Sequence, residues 1–336
     1  SFNTYYLETL MKPLLNIIRL ALLLIASSFT ALAMAQGYPN KPVKLIVPYP
    51  PGGPVDNLAR GVAEQLSKIW GQPVLVDNRA GGNEIVAVEA IKNSAPDGYT
   101  LLLGADPAFV SNQFLFKKLS YDPLTDLVPI SRVAHVNMAL IVDGRVPVNN
   151  LKEYITYVKA NPGKYNYGTA GAGTAVHIHF DAFLRETDLN MPHIPYKGIG
   201  VMQGLLGGDV QATMLGVTAA VPFLESGKVK VLAIGGEKRA KSLPNVPTFA
   251  EAGYPRAESY FFMGLAAPKG TPRAIVDNVS NAVHKVMAQK SFVEKFYDPF
   301  SFEPLAESPE EFSAYLVKER VRAGKKIKDA GASLDN

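Results

Sequence analysis

The sequence predicts an α/β protein of two lobes joined by a hinge, with a cleft between them. Three observations lead there. Strand-like apolar runs and helix-like periodic runs alternate from Val43 onward, as expected of helices packed around mainly parallel sheets. Two strand–glycine–helix turns occur far apart in the chain, YPPGGPVDNLAR at 49–60 and YGTAGAGTAVHIH at 167–179. The chain also leaves the first lobe near Met138 and returns near Met263, and two crossing segments make a hinge about which a cleft can close.

Taken in order, 43–47 is an apolar run short enough for a buried strand, and 57–70 repeats apolar residues at helical spacing. Strands at 74–77 and 101–103 flank a helix at 85–93, with Ser94-Ala95-Pro96-Asp97-Gly98 as a turn. A strand at 138–142 opens the second lobe, and the helix at 151–161 is stopped by Pro162-Gly163. The strand at 165–167, the glycine turn and a helix through Phe180, Phe183 and Leu184 follow. Then come 191–195, a short helix at 201–206, a strand at 210–215, a brief helix at 222–226 closed by Gly227, and a strand at 229–234. The proline-rich 243–247 connects to a strand at 261–266, and helices at 272–289 and 309–328 complete the chain. The first lobe is thus 36–137 with 261–336, and the second is 138–260. The basic run KERVRAGKKIK at 318–328 reads as the outer face of the last amphipathic helix.

The N-terminal stretch predicts export. Met11 opens a signal peptide at 11–35: Lys12 and Arg19 precede an apolar core at 20–33, and Ala33-Met34-Ala35 is a small-x-small cleavage pattern, placing the cut after Ala35 and the mature chain in the periplasm. That core is shorter than the roughly 20 residues a spanning helix needs. Residues 1–10 are set aside as upstream translation or a fragment artefact. With no cysteine, disulfides, thiolate metal sites and cysteine nucleophiles are excluded. The net charge of +4 comes from scattered bases alternating with acids, which argues against a nucleic-acid partner.

Each glycine turn follows a strand and opens a helix. Gly52 and Gly53, then Gly168, Gly171 and Gly173, let the backbone turn sharply, and Asp56 or Asn57 is placed to cap the first helix. Free N–H groups converge at such a helix start, and that geometry suits an anion. One turn alone is a weak sign; two, one per lobe, can face each other across a cleft.

Several motifs in register carry a resemblance. KPVKLIVPYPPGGPVDNLAR, GQPVLVDNRAGG, PDGYTLLLG, YGTAGAGTAVHIHF, PYKGIGVMQGLLGGDVQ, LPNVPTFAEAGYP and GLAAPKGTP occur in the order and spacing of the tripartite tricarboxylate transport receptors, the Bug-type extracytoplasmic solute-binding proteins, over 38–334. The resemblance implies a type II periplasmic binding protein-like fold that captures a small mono- or dicarboxylate in its interlobe cleft. It further implies delivery to transporter subunits in the membrane, action as a monomer, and no metal or organic cofactor. The site residues it implies are Tyr49, Pro51, Gly52, Gly53 and Asp56, then Ala170, Gly171, Gly173, Thr174 and His177. The loops at Ala105, Asp106 and Pro107 and at Leu215, Gly216 and Val217 are implied to line the remainder. Two departures stand out. Asn83 and Glu84 replace glycines that follow the asparagine-arginine pair in relatives, so Glu84 either brings negative charge to the cleft or complements a helix dipole. Phe262 stands where relatives often have tryptophan, which bears on pocket width.

Catalytic readings find less support. His177 and His179 are two apart and point to different sides of a helix, and with His193 they lack a carboxylate at ligand spacing. No serine sits in a nucleophile elbow, and GTAGAGT is not the dinucleotide fingerprint. Tyr99, Tyr121 and Tyr196 read as core or rim aromatics, and Lys197 as part of a structural loop rather than a Schiff-base site. The alternatives to a transport receptor are an exported sensor that signals to a membrane protein and an exported enzyme on the same scaffold.

Overall fold

The computed structural model describes residues 37–172, 174–196 and 200–335; the expected leader at 11–35, Gly173 and Lys197 lie outside them. The chain begins with strand β1 (Val43–Val47), helix α1 (Pro54–Trp70), β2 (Val74–Asn78), α2 (Ile85–Lys92) and β3 (Thr100–Ala105). In α1 the residues Val55, Leu58, Ala59, Val62 and Leu66 share one buried face, and the helix ends at Gly71, whose φ of 65° reverses the chain. A wide helical turn (Pro107–Ser111) runs into α3 (Asn112–Leu115), and then comes the 17-residue β4 (Leu127–Asp143). Next are α4 (Leu151–Lys159), β5 (Tyr167–Thr169), α5 (Ala175–Thr187), β6 (His193–Pro195), α6 (Gly200–Gly207), β7 (Ala212–Gly216), α7 (Val221–Leu224) and β8 (Val229–Ile234). The chain finishes with β9 (Tyr260–Pro268), α8 (Arg273–Met287), α9 (Lys290–Phe296), β10 (Phe302–Pro304) and α10 (Pro309–Ala330), the last opened by a Ser308–Glu311 capping box. No helix of the described residues is long and apolar enough to cross a membrane.

The strands hydrogen-bond in the order β2-β1-β3-β9-β4-β7-β5-β6, with β8 and β10 also paired to β4. The β2-β1-β3 and β7-β5-β6 groups are parallel, while β9 and β4 run antiparallel to their neighbours. Both sheets are covered on both faces, so apolar residues alternate between two cores. Leu45, Val47, Leu101 and Leu103 pack with α1 and α8, whereas Ile46 and Leu102 pack with α2 and α10. Met138, Leu140 and Val142 face one core of the second sheet, and Ala139 and Ile141 the other.

β4 is the feature that ties the two sheets together. Leu127 to Asn137 pairs with β9, and Met138 to Asp143 pairs with β7 and β8. The return path lies beside it: the amide of Met138 donates to the Ser259 carbonyl at 2.9 Å, and the amide of Ser259 donates to the Gly235 carbonyl at 3.1 Å. A β-carbon on Gly235 would fall 1.7 Å from the Ser259 oxygen, so only glycine permits this approach. The register fixes where the strand ends point. Ala105, the last residue of β3, sits opposite Met263, and Gly216, the last of β7, sits opposite Met138. Both sets of parallel strands therefore deliver their C-terminal loops to the crossing point.

α10 departs from the sequence expectation. Its basic run is not simply an outer face: Arg322 stacks on the Tyr260 ring at 4.0 Å and grips Glu319 through two hydrogen bonds, of 2.9 and 2.7 Å. Lys326 donates to the Glu258 carbonyl at 2.6 Å, and burial pushes its ammonium down to about 8. Ile327 packs with Leu115 and with Ile178 of α5, so α10 touches elements of both sheets.

Candidate functional site

At the β1–α1 turn the structure organises the loop differently from the expected cap. The N-cap is Gly53, with no side-chain bond, and Pro54 takes the first helical position. Asp56, 2% exposed, turns back instead and accepts from the Gly52 amide at 2.9 Å, from Arg60 Nε at 2.9 Å and from Asn78 Nδ2 at 2.8 Å. Asn78 Nδ2 also donates to the Tyr49 carbonyl at 3.0 Å, which ties the two ends of the loop. Burial raises the Asp56 carboxyl, but Arg60, the Gly52 amide and Asn78 outweigh it and hold it below the usual value. The Gly52 amide is thus already paired. Gly53, Val55 and Asp56 keep first-turn amides with no acceptor among the described residues.

The β5–α5 turn repeats this logic. The Gly171 amide is taken by Thr169 Oγ1 at 3.1 Å, and Thr174 caps α5 by accepting from the His177 amide at 3.4 Å. The next amides, Ala175 and Val176, have no acceptor among the described residues. Thr169 Oγ1 also meets His193 Nε2 at 2.6 Å, and the His193 ring stacks on His177 at 4.4 Å between centroids. Burial, with His177 beside it, pushes His193 down to about 4, and burial likewise lowers His177. His179 is buried apart from this pair, near Tyr260, Arg322 and Lys326.

Glu84 is buried at the start of α2 and makes no side-chain cap bond to that helix. It is not in the first turn of a regular helix; it has a left-handed backbone (φ 75°), preceded by Asn83 at φ 51°. Its side chain, 4% exposed, accepts from Tyr49 OH at 2.5 Å and from the Ala105 amide at 3.0 Å, with the Ala108 amide also directed at it. Burial pushes its carboxyl up to about 7 and pushes neighbouring Asp106 up to about 6.

These elements meet on a cavity of about 190 Å³. Tyr49, Asn83 and Asp106 line it from the first sheet's loops, Thr174 and Ala175 from the start of α5, and Arg322 and Lys326 from α10. Of the sequence-derived residues, Tyr49, Asp106, Pro107 and Thr174 are therefore brought together. Pro51 and Gly52 are exposed on the β1–α1 turn and Gly53 is half-buried there, while Asp56 and Ala105 are buried behind the loops with their polar groups used internally. Ala170, Gly171 and His177 border the β5–α5 turn without lining the cavity, and Leu215 and Gly216 end β7 opposite Ala139 and Met138. Gly173 is outside the described residues. Phe262 does not set pocket width: it is fully buried against Phe109, Phe312 and Tyr315, and Phe261 reaches the cavity instead. The sequence reading missed Glu319, Arg322 and Lys326, although their i, i+3, i+7 spacing places them on one helix face.

Residues 58–332 match the sequence model of a family described as tripartite tricarboxylate transporter family receptor. Protein BugT of Bordetella pertussis is 34% identical over 302 residues, covering 89% of this chain and 92% of BugT. Among solved structures, R. palustris Rpa4515 with adipate superposes with a TM-score of 0.77 at 32% identity, over 88% of this chain and 99% of that one. MatC from Rhodopseudomonas palustris with bound malate gives a TM-score of 0.71 at 29% identity, over 86% and 100%.

Proposed function

The chain belongs to the tripartite tricarboxylate transporter receptor family of periplasmic solute-binding proteins, and from that premise we propose that it captures a small carboxylate between its two sheets and passes it to a membrane transporter of the tripartite type. The observation that carries this reading is one cavity lined by Tyr49 from the β1–α1 loop, Asp106 from the loop after β3, and Thr174 and Ala175 from the start of α5. Free first-turn amides at α1 and α5 supply positive ends for an anion, each contributing about 0.3–2 kcal/mol. A grip made of helix ends and main-chain donors favours release, which a receptor needs.

In this proposal the mature protein is exported with its leader removed after Ala35. The lobe of 36–137 with 261–336 closes on the lobe of 138–260 by bending at 137–138 and 235–259. Relatives solved with adipate and malate support carboxylate as the ligand class. A thermal-shift panel of aliphatic, hydroxy, amino and aromatic carboxylates tests it, because a ligand at 100 times its dissociation constant adds about 2.7 kcal/mol to the folded state. At least one carboxylate is expected to raise the midpoint and to be recovered chemically unchanged. A panel in which only neutral or cationic solutes stabilise the protein overturns the reading.

A further inference from the structure

We propose that Arg322 and Lys326 of α10 form an anion subsite on the cavity wall, so that the receptor selects solutes with two carboxylates, one held at the start of α5 and one at this pair. This rests on the carboxylate-receptor reading above and narrows its ligand class. Both side chains line the same cavity of about 190 Å³ as Thr174 and Ala175, and their i, i+4 spacing puts them on one face of α10. Arg322 is held in place by Glu319, which accepts from its Nε at 2.9 Å and its Nη2 at 2.7 Å, and by the Tyr260 ring at 4.0 Å. Its remaining nitrogen, Nη1, is buried with no hydrogen-bond partner, because Glu258 Oε2 lies 3.8 Å away, beyond hydrogen-bond reach.

Lys326 carries a charge that the protein leaves without a close counter-ion. It is half-buried, its hydrogen bond goes to a neutral acceptor, the Glu258 carbonyl at 2.6 Å, and it makes no ion pair among the described residues. Burial, with Arg322 one turn away, depresses its ammonium to about 8, and Glu319, Glu258 and Glu186 offset this only in part. His179 on the same wall reports the same positive surroundings: burial, then Lys326 and Arg322, hold its imidazole well below the usual value. An ammonium has three donors, so an arriving carboxylate can take those that the Glu258 carbonyl leaves over, in charge-assisted hydrogen bonds. The acids on the wall do not fill this place. Glu319 spends both oxygens on Arg322, and Asp106, raised to about 6 mainly by burial, makes no ion pair among the described residues and can take up a proton as an anion arrives.

The test is Lys326→Gln, which removes the charge and keeps a donor for the Glu258 carbonyl, with Lys326→Arg as the variant that restores the charge. Calorimetric affinities are measured for all three proteins with dicarboxylates from malonate to adipate and with monocarboxylates of matching length, and thermal midpoints without ligand report on folding. Wild type is expected to bind its best dicarboxylate at least about tenfold more tightly than the matching monocarboxylate. Lys326→Gln is expected to shrink that preference to about twofold or less, and Lys326→Arg to recover most of it. Wild type binding both classes equally overturns the inference, and that comparison holds whether or not the variants fold. So does Lys326→Gln keeping the full preference, or weakening both classes alike as a purely structural lysine would. Each of these results leaves the receptor reading standing, whereas a wild type that binds no carboxylate of either class sinks the receptor reading and this inference with it.

Discussion

Removing the Asp56 carboxylate with Asp56→Ala is expected to destabilise the protein and loosen the β1–α1 loop together. Three hydrogen bonds end on this buried group, and bonds to charged groups contribute about 1.5–3 kcal/mol each. The full sum does not apply. Arg60 is 51% exposed and Gly52 lies on the surface, so both regain water, and Asn78 Nδ2 keeps the Tyr49 carbonyl. The net loss is therefore about 2–4 kcal/mol, read as a lower urea midpoint at unchanged slope. Because Asp56 also anchors the turn that presents the free Gly53 and Val55 amides, carboxylate affinity should fall by about tenfold or more, equivalent to about 1.4 kcal/mol. The Asp56 carboxyl is held below its unfolded value, so its stabilisation is present above about pH 4 and lost as pH falls through the folded value. Asp56→Ala should accordingly lose less stability on acidification than wild type. Unfolding within about 0.5 kcal/mol of wild type, with affinity unchanged, would refute the reasoning that this carboxylate organises the anion-facing turn.

Two further outcomes follow from the same geometry. Gly171, at φ 134°, occupies backbone space that side chains rarely enter, so Gly171→Leu should keep most of the fold while lowering carboxylate affinity by about tenfold or more, and unchanged affinity by calorimetry counts against the β5–α5 turn as a ligand wall. Glu84 is raised from 4.5 to about 7 by burial, so its contribution is present below about pH 4.5 and lost as pH rises through 7; relative to Glu84→Gln, wild type should lose about 3 kcal/mol between pH 5 and 8, and a pH-independent difference in urea unfolding contradicts this.

The legible parts of the fold were those with local causes. The strand at Val43–Val47 is an uninterrupted apolar run because its sheet is covered on both faces, and α1 shows its buried stripe at helical spacing. The N-terminal half of β4 was not legible. Pro129, Arg132 and His135 interrupt its pattern, and the strand exists because bulges near Pro129 and Arg132 let β9 pair around them while Arg132 finds Glu307 and the Tyr315 ring. β10 and α9 were likewise missed, being short pieces held by β4 and by Phe292 and Phe296 in the core.

For the site, sequence alone determined the two glycine turns and the residues near them, because sharp turns and helix starts need particular residues at particular spacings. It also picked out Glu84 as out of place. Only the tertiary structure decided which amides are already used, since Asp56 and Thr169 reach Gly52 and Gly171 through side-chain geometry that spacing does not encode. The same holds for Glu84 settling onto Tyr49 and Ala105, and for Arg322 and Lys326 turning toward the cavity. Those contacts join residues from distant parts of the chain, and what brings them together is the packing of whole elements, not the local preference of any one of them.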